Sequence, residues 1–183
     1  MKIQPDSAWV VILLGSILSL GQDANIDRGA VVGSTYVNRF FGLTFMPPTT
    51  LSYEPNQATP HPQDRAFVLM KAAGKSQPGQ VTSLMVLSAD KLSYYPSAER
   101  DAAAYLSKME QHEKEDGYTF LQQREDFLLG HCKLLRADFQ KEPLREAILV
   151  TTRRGFALVL IAIGGSARDL DSMLHSAQLR FND

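Results

Sequence analysis

The chain has 183 residues, 44% of them hydrophobic and 21% charged, which are the values of a globular domain with its own core. Its 19 basic and 20 acidic side chains leave a formal net charge of −1 with no block of like charge, which excludes a basic footprint for nucleic acid and a polybasic membrane patch. A single cysteine, Cys132, excludes a disulfide framework within the chain, so packing must hold the fold, and the lone thiol reads as a small buried hydrophobe.

Ala8 to Leu20 is apolar throughout. It is shorter than the ~20 residues of a membrane span and within the roughly 7–15 of a signal-peptide core. Ser19-Leu20-Gly21 offers a small-x-small cleavage site. Lys2 supplies the only side-chain positive charge ahead of it and Asp6 offsets part of that, so an uncleaved N-terminal anchor is the alternative. No cysteine follows the apolar run, which excludes a lipoprotein anchor. Residues 1–21 are therefore expected to be a signal peptide or short anchor, 22–34 a polar, glycine-punctuated lead-in, and 35–183 a single domain.

Tyr36, Phe40, Phe41, Leu43 and Phe45 open that domain. Gly42 marks a bend, Leu43-Thr44-Phe45 alternates as a half-buried strand, and Pro47-Pro48 stops it. Thr50 to Tyr53 reads as a short edge strand or loop, and the proline-rich Glu54–Asp64 as a surface loop. Ala66–Ala72 and Val81–Ser88 are expected to pair as a hairpin across a Gly74–Gln80 turn, with Asp90–Pro96 as a connection. Ser97 is the expected cap of a helix with Glu99 and Asp101 in its first turn. Ala102, Tyr105, Leu106 and Met109 form its buried stripe, Gln111–Asp116 its solvated end and Gly117 its stop.

Tyr118–Gln123, Leu128–Gln140, Arg145–Thr152 and Phe156–Ile163 read as strands, the last two joined at Arg153-Arg154-Gly155. Phe156–Ile163 is apolar at every position and too short for a bilayer, so it is expected to be covered on both faces. Ser166 and Asp169 make a capping box for a second helix with the stripe Leu170, Met173, Leu174 and Ala177, after which Leu179 and Phe181 tuck the tail in. The order predicts an α+β fold, with an antiparallel sheet of about six strands sandwiched by helices.

Asn38-Arg39-Phe40-Phe41-Gly42-Leu43-Thr44-Phe45, with Pro48 close behind, resembles the opening of the PsbP/Mog1-like superfamily, and the element order from Tyr36 to Phe181 is similar to that family's as well. Thr49-Thr50-Leu51 stands where the family commonly carries a tryptophan. The resemblance implies an α-β-α sandwich used as a binding or assembly module; some relatives bind a small GTPase and others dock on a membrane complex. It transfers no binding residue to a position here.

Candidate reactive groups each have a bland reading. His131 and Cys132, neighbours on one expected strand, would point to opposite faces and could not act as base and nucleophile. Arg136 and Asp138 share a face and read as a structural pair. The histidines at 61, 112, 131 and 175 have no metal spacing. Glu113, Glu115 and Asp116 read as a solvated helix end, Arg153-Arg154 as a solubilising turn, and Gly164-Gly165-Ser166 as a capped helix start rather than a phosphate cradle. No catalytic, cofactor or metal residue is assigned. The expectation is an exported (periplasmic or secreted) non-enzymatic binding or assembly module, with a protein or cell-envelope component as partner, no nucleic acid, and no integral span after signal cleavage. The alternative is a small-ligand carrier or enzyme with a site assembled from distant loops, notably 54–64 and 74–80.

Overall fold

A computed structural model describes residues 29–54, 64–77 and 80–182. The apolar N-terminal run, residues 22–28 of the expected lead-in, and most of the Glu54–Asp64 loop with His61 lie outside the described residues.

The described strands are β1 (Ala30–Val32), β2 (Thr35–Asn38), β3 (Leu43–Met46), β4 (Ser52–Glu54), β5 (Ala66–Gln77), β6 (Gln80–Lys91), β7 (Thr119–Leu129), β8 (Cys132–Lys141), β9 (Leu144–Arg153), β10 (Phe156–Gly164) and β11 (Gln178–Phe181). The helices are α1 (Ala102–Glu115) and α2 (Ala167–Ser176). The expectation of about six strands is corrected: a four-stranded sheet runs β1-β2-β3-β11 and a seven-stranded sheet runs β4-β5-β6-β10-β9-β8-β7. Every neighbouring pair is antiparallel. The opening aromatics explain the second layer. Tyr36, Leu43 and Phe45 give β2 and β3 an inward face of their own, which buries against the larger sheet rather than extending it.

Two meanders, β4-β5-β6 and β7-β8-β9-β10, make the large sheet and meet where β6 pairs with β10. Its two faces carry separate cores. On one side Leu87, Leu158 and Leu160 pack with Phe41 and Phe45 of the small sheet and with Leu170 and Leu174 of α2. On the other, Leu106 and Met109 of α1 pack with Phe139, Ile148 and Val150. β10 feeds both, with Phe156, Leu158, Leu160 and Ala162 on the first face and Ala157 and Val159 on the second. Its unbroken apolar run is covered along one whole side, and on the other as far as Val159. The cover by α1 is uneven. It lies chiefly over β7, β8 and β9, so Val68 of β5, Leu84 of β6 and Ile161 and Ile163 of β10 stay half-buried on that face.

The Asn38–Gly42 stretch forms the turn between β2 and β3. Asn38 is fully buried; its Oδ1 accepts from the Phe41 amide at 2.9 Å and its Nδ2 donates to the Tyr36 hydroxyl at 3.1 Å. Phe40, Phe41 and Phe156 stack edge-to-face with centroids 4.8–5.7 Å apart.

Several local expectations are corrected. β1 lies within the expected lead-in, and β5 continues through Gly74 to Gln77 where a turn was expected. Asp90 is in β6, not in a connection. Ser97 opens a one-turn 3₁₀ segment after Pro96, and Asp101 is the cap of α1, its Oδ1 accepting from the Ala104 amide at 2.7 Å. Gly117, at φ +86°, stops the helix as expected. The expected strand Leu128–Gln140 is cut by a Gly130-His131 hairpin turn that joins β7 to β8. Gly130 has φ +63°, and a Cβ there would meet the Leu179 carbonyl oxygen at 2.7 Å, so only glycine fits the bend beneath β11. Ser166 caps α2 as expected, accepting from the Asp169 amide at 3.1 Å.

Candidate functional site

The uneven cover by α1 leaves a groove of about 420 Å³ between that helix and the β5-β6-β10 part of the sheet. Its floor is apolar, built from Val68, Leu84, Val86, Val159, Ile161 and Ile163. Strand pairing sets this out: Val86 lies opposite Ile161, Leu84 opposite Ile163, and Ser88 opposite both Val68 and Val159, so these side chains share one face. Tyr105, Met109, His112 and Glu113 of α1 form the wall. A buried acid stands near each end.

At one end is Asp90, only 3% exposed. Its Oδ2 accepts from the Tyr105 hydroxyl at 3.0 Å and from the Tyr95 hydroxyl. Its Oδ1 accepts no hydrogen bond, although the Arg65 Nε stands 3.5 Å away. Burial raises the Asp90 pKa, opposed by the Tyr95 hydrogen bond and the Arg65 charge. Arg65 and Lys108 both lie over the Tyr95 ring, at 5.0 and 4.7 Å, and Lys108 pairs with Glu99.

At the other end are Glu113 and Glu146, 5% and 4% exposed, with Tyr118, Asp116 and His112. Glu146 sits on β9 on the same face as Ile148 and Val150, and the Tyr118 hydroxyl donates to it. Burial pushes Glu146 up to about 8, the Glu113 charge pushes the same way, and the Tyr118 bond pulls back. Burial likewise lifts Glu113 to about 6, with His112 and Lys141 opposing. Lys141 donates to the Asp116 carbonyl at 2.7 Å and lies 5.2 Å from the centre of the Tyr118 ring.

The raised value of Glu146 makes a pH prediction. A carboxyl whose folded pKa lies above its unfolded value, near 4.3, favours folding while protonated and costs stability as pH rises through the folded value. The window therefore runs from pH ~4.3 to about 8. Glu146→Gln is expected to leave stability near pH 4 little changed and to raise it at pH 9 by about 1–3 kcal/mol. Thermal unfolding followed by circular dichroism at both pH values measures this, and parallel behaviour of the two proteins would refute it.

The groove differs from what the sequence suggested. Glu113 was expected in a solvated helix end and is buried; Glu115 is exposed as expected, accepting from Gln111 at 3.0 Å. His131 is exposed in the hairpin turn, and Cys132 begins β8 buried beneath β11, its Sγ donating to the Leu179 carbonyl at 3.4 Å. The two do not form a dyad, although the reason is the turn and not strand alternation. Burial raises the Cys132 thiol pKa. Alkylation of Cys132 by iodoacetamide at pH 7.5 is expected to be at least about tenfold slower in native protein than in urea; equal rates would place the thiol in solvent.

The His175 Nδ1 donates to the Asp171 carbonyl, 2.7 Å away, and the ring packs on Phe127. Among the described residues, no three His, Cys, Asp or Glu side chains are grouped to hold a metal ion. Arg153 and Arg154 are more than solubilising. The Arg153 Nε donates to the Phe41 carbonyl at 2.6 Å and its Nη2 to the Asn182 carbonyl at 3.1 Å, while Arg154 donates to the Phe40 carbonyl. Sequence reasoning missed Asp90, Glu146 and Tyr118. For Glu146 the cue was present, because a period of two places it with Ile148 and Val150.

No protein-family model matches the sequence, and no curated protein matches it. In fold the chain is similar to cyanobacterial PsbP (CyanoP) from Synechocystis sp. PCC 6803, at 13% identity over 92% of this chain and 99% of that one, with a TM-score of 0.49. It is also similar to a protein from Bacteroides thetaiotaomicron VPI-5482, at 12% identity over 82% of this chain and 49% of that one, with a TM-score of 0.40. Neither likeness says anything about what this chain binds. No helix among the described residues is long and apolar enough to cross a membrane.

Proposed function

We propose that the protein is an exported, non-enzymatic binding module that takes a small apolar ligand in the groove beside α1. The observation that carries the reading is the groove itself. A half-buried sheet face of Val68, Leu84, Ile161 and Ile163, walled by a helix and closed by a few polar groups, is the composition expected of a ligand pocket, and its volume of about 420 Å³ suits a small molecule. Export is supported by the Ala8–Leu20 run and the small-x-small site Ser19-Leu20-Gly21 at its end. The groove is framed by α1 and by strands β5, β6 and β10.

The neutral fluorophore N-phenyl-1-naphthylamine should gain fluorescence with the wild-type protein. Ile161→Trp and Leu84→Trp, each of which fills the floor, should remove most of that gain while keeping the native circular dichroism spectrum. An equal gain with folded Trp variants, or none with wild type, would reject the groove as the site.

A further inference from the structure

We infer that the groove selects an apolar alcohol, with its hydroxyl donating to Asp90 at the Tyr95 end and its aliphatic body laid along β6 over Val86 and Leu84. This rests on the groove being the ligand site and names the ligand's polar group.

Asp90 carries the argument. Its side chain is 4% exposed, it lines the groove, and its Oδ1 is a buried oxygen that accepts no hydrogen bond among the described residues. A buried acceptor left without a donor is costly, and more so when it is charged. The hydroxyl protons around it are already committed. Those of Tyr95 and Tyr105 go to its other oxygen, Oδ2, and that of Ser88 goes to the Val159 carbonyl at 3.5 Å. This end of the groove therefore has acceptor capacity left, on Asp90 Oδ1 and on the lone pairs of the two phenols, and the ligand must bring the proton. Arg65 covers Oδ1, its Nε 3.5 Å away without donating to it, and its side chain is 37% exposed. It is the group that turns outward when a ligand hydroxyl takes the place beside Oδ1.

The charges at this end argue for a neutral head. Asp90 faces Arg65, and Lys108 pairs with Glu99, so two cations already meet two acids. An ammonium would be set beside Arg65 and Lys108, and a carboxylate beside Asp90. The register of β6 sets the body. Asp90, Ser88, Val86 and Leu84 alternate onto one face, so the floor runs from polar to apolar away from the tyrosines. Val86 and Leu84 offer no polar partner, and a chain lying over them must be apolar. The distance from Asp90 to Leu84 along the strand is roughly 20 Å at about 3.3 Å per residue, which accommodates a medium-length alkyl chain with its hydroxyl at one end.

Octanol, octyl methyl ether, octylamine and octanoate share one chain and differ in the head group. Each should be titrated into the full chain at pH 7, with amide shifts followed by heteronuclear NMR. Octanol is expected to bind at least about tenfold more tightly than the ether, which cannot donate, and more tightly than either charged compound, with the largest shifts in Leu84–Lys91. In Asp90→Asn the amide oxygen keeps the two tyrosine hydroxyls and the NH2 group replaces Oδ1, a donor for an acceptor. Octanol and the ether are then expected to bind within about twofold of each other. The comparison on the wild-type protein decides the matter even if the variant does not fold. An ether that binds wild type as tightly as octanol, a charged compound that binds more tightly, or an octanol preference kept in folded Asp90→Asn would overturn the hydroxyl assignment while leaving the groove as a site. Shifts with none of the four would overturn the groove reading as well.

Discussion

Arg136→Ala is expected to destabilise the protein by about 3 kcal/mol, within the range found when one partner of a buried ion pair is removed. Arg136 is on β8, beneath α2. Its Nε and Nη2 each donate to Asp138 at 2.7 Å, and the same Nη2 donates to Asp171 of α2 at 2.8 Å. Phe127 covers the guanidinium at 5.1 Å. The arginine thus ties a sheet carboxylate to a helix carboxylate, and its planar fork satisfies both in one geometry.

Its removal leaves Asp138, whose side chain is only 16% exposed, without this counter-charge, and it takes away the ion pair to Asp171 of α2. Asp171 is 52% exposed, so Asp171→Ala is expected to cost less than about 1 kcal/mol. The double variant Arg136→Met with Asp138→Leu should recover most of the loss, because replacing a buried pair by apolar groups avoids the stranded charge. Urea unfolding of the four proteins separates these contributions. A double variant as unstable as Arg136→Ala would show that the loss is one of packing and not of charge.

What the sequence made legible follows from how far each pattern acts. The α2 stripe was readable because Leu170, Met173 and Leu174 repeat at helical spacing behind a local cap, and all three are buried. The burial of β10 was readable because no polar residue interrupts Phe156–Ile163. The division into two sheets was not readable. β11 returns to pair with β3, Leu179 opposite Phe45, across nearly the whole chain, and no local spacing reports such a pairing. The hairpin at Gly130-His131 was missed because flanking residues on both sides favour strand, and the bend is fixed by its approach to Leu179.

The groove was hidden for a related reason. Glu113 continues the α1 stripe, seven residues after Leu106 and four after Met109, yet it sits in a run of charged residues that looks solvated. Asp90 follows an alternating strand and looks like the start of a turn, and only the pairing with β10 carries β6 on to Lys91. Both acids are buried because the second meander and α1 close over them. Their burial is a tertiary property, and the sequence shows it only where the period of a helix or strand is followed past the last apolar residue.

Gly42→Ala is expected to cost about 2–4 kcal/mol, from roughly 1–2 for a left-handed alanine and about 1 or more for the displaced backbone bond. Gly42 has φ +59°, and a Cβ there would lie 2.3 Å from the Asn182 carbonyl oxygen. That approach is part of the fold's closure. The Asn182 amide donates to the Gly42 carbonyl at 2.6 Å, and the Arg153 Nη2 holds the Asn182 carbonyl from the other side at 3.1 Å. Alanine would push the tail away at the point where β11 leaves β3. Gly155→Ala is the control. Gly155 has φ +80° but nothing within 4 Å of a Cβ, so it should lose only the conformational part, about 1–2 kcal/mol. The melting temperature of Gly42→Ala should fall by roughly 4–16 °C, and further than that of Gly155→Ala. Equal losses would mean that the tail moves aside freely, and that the glycine of the opening motif is required only for its turn.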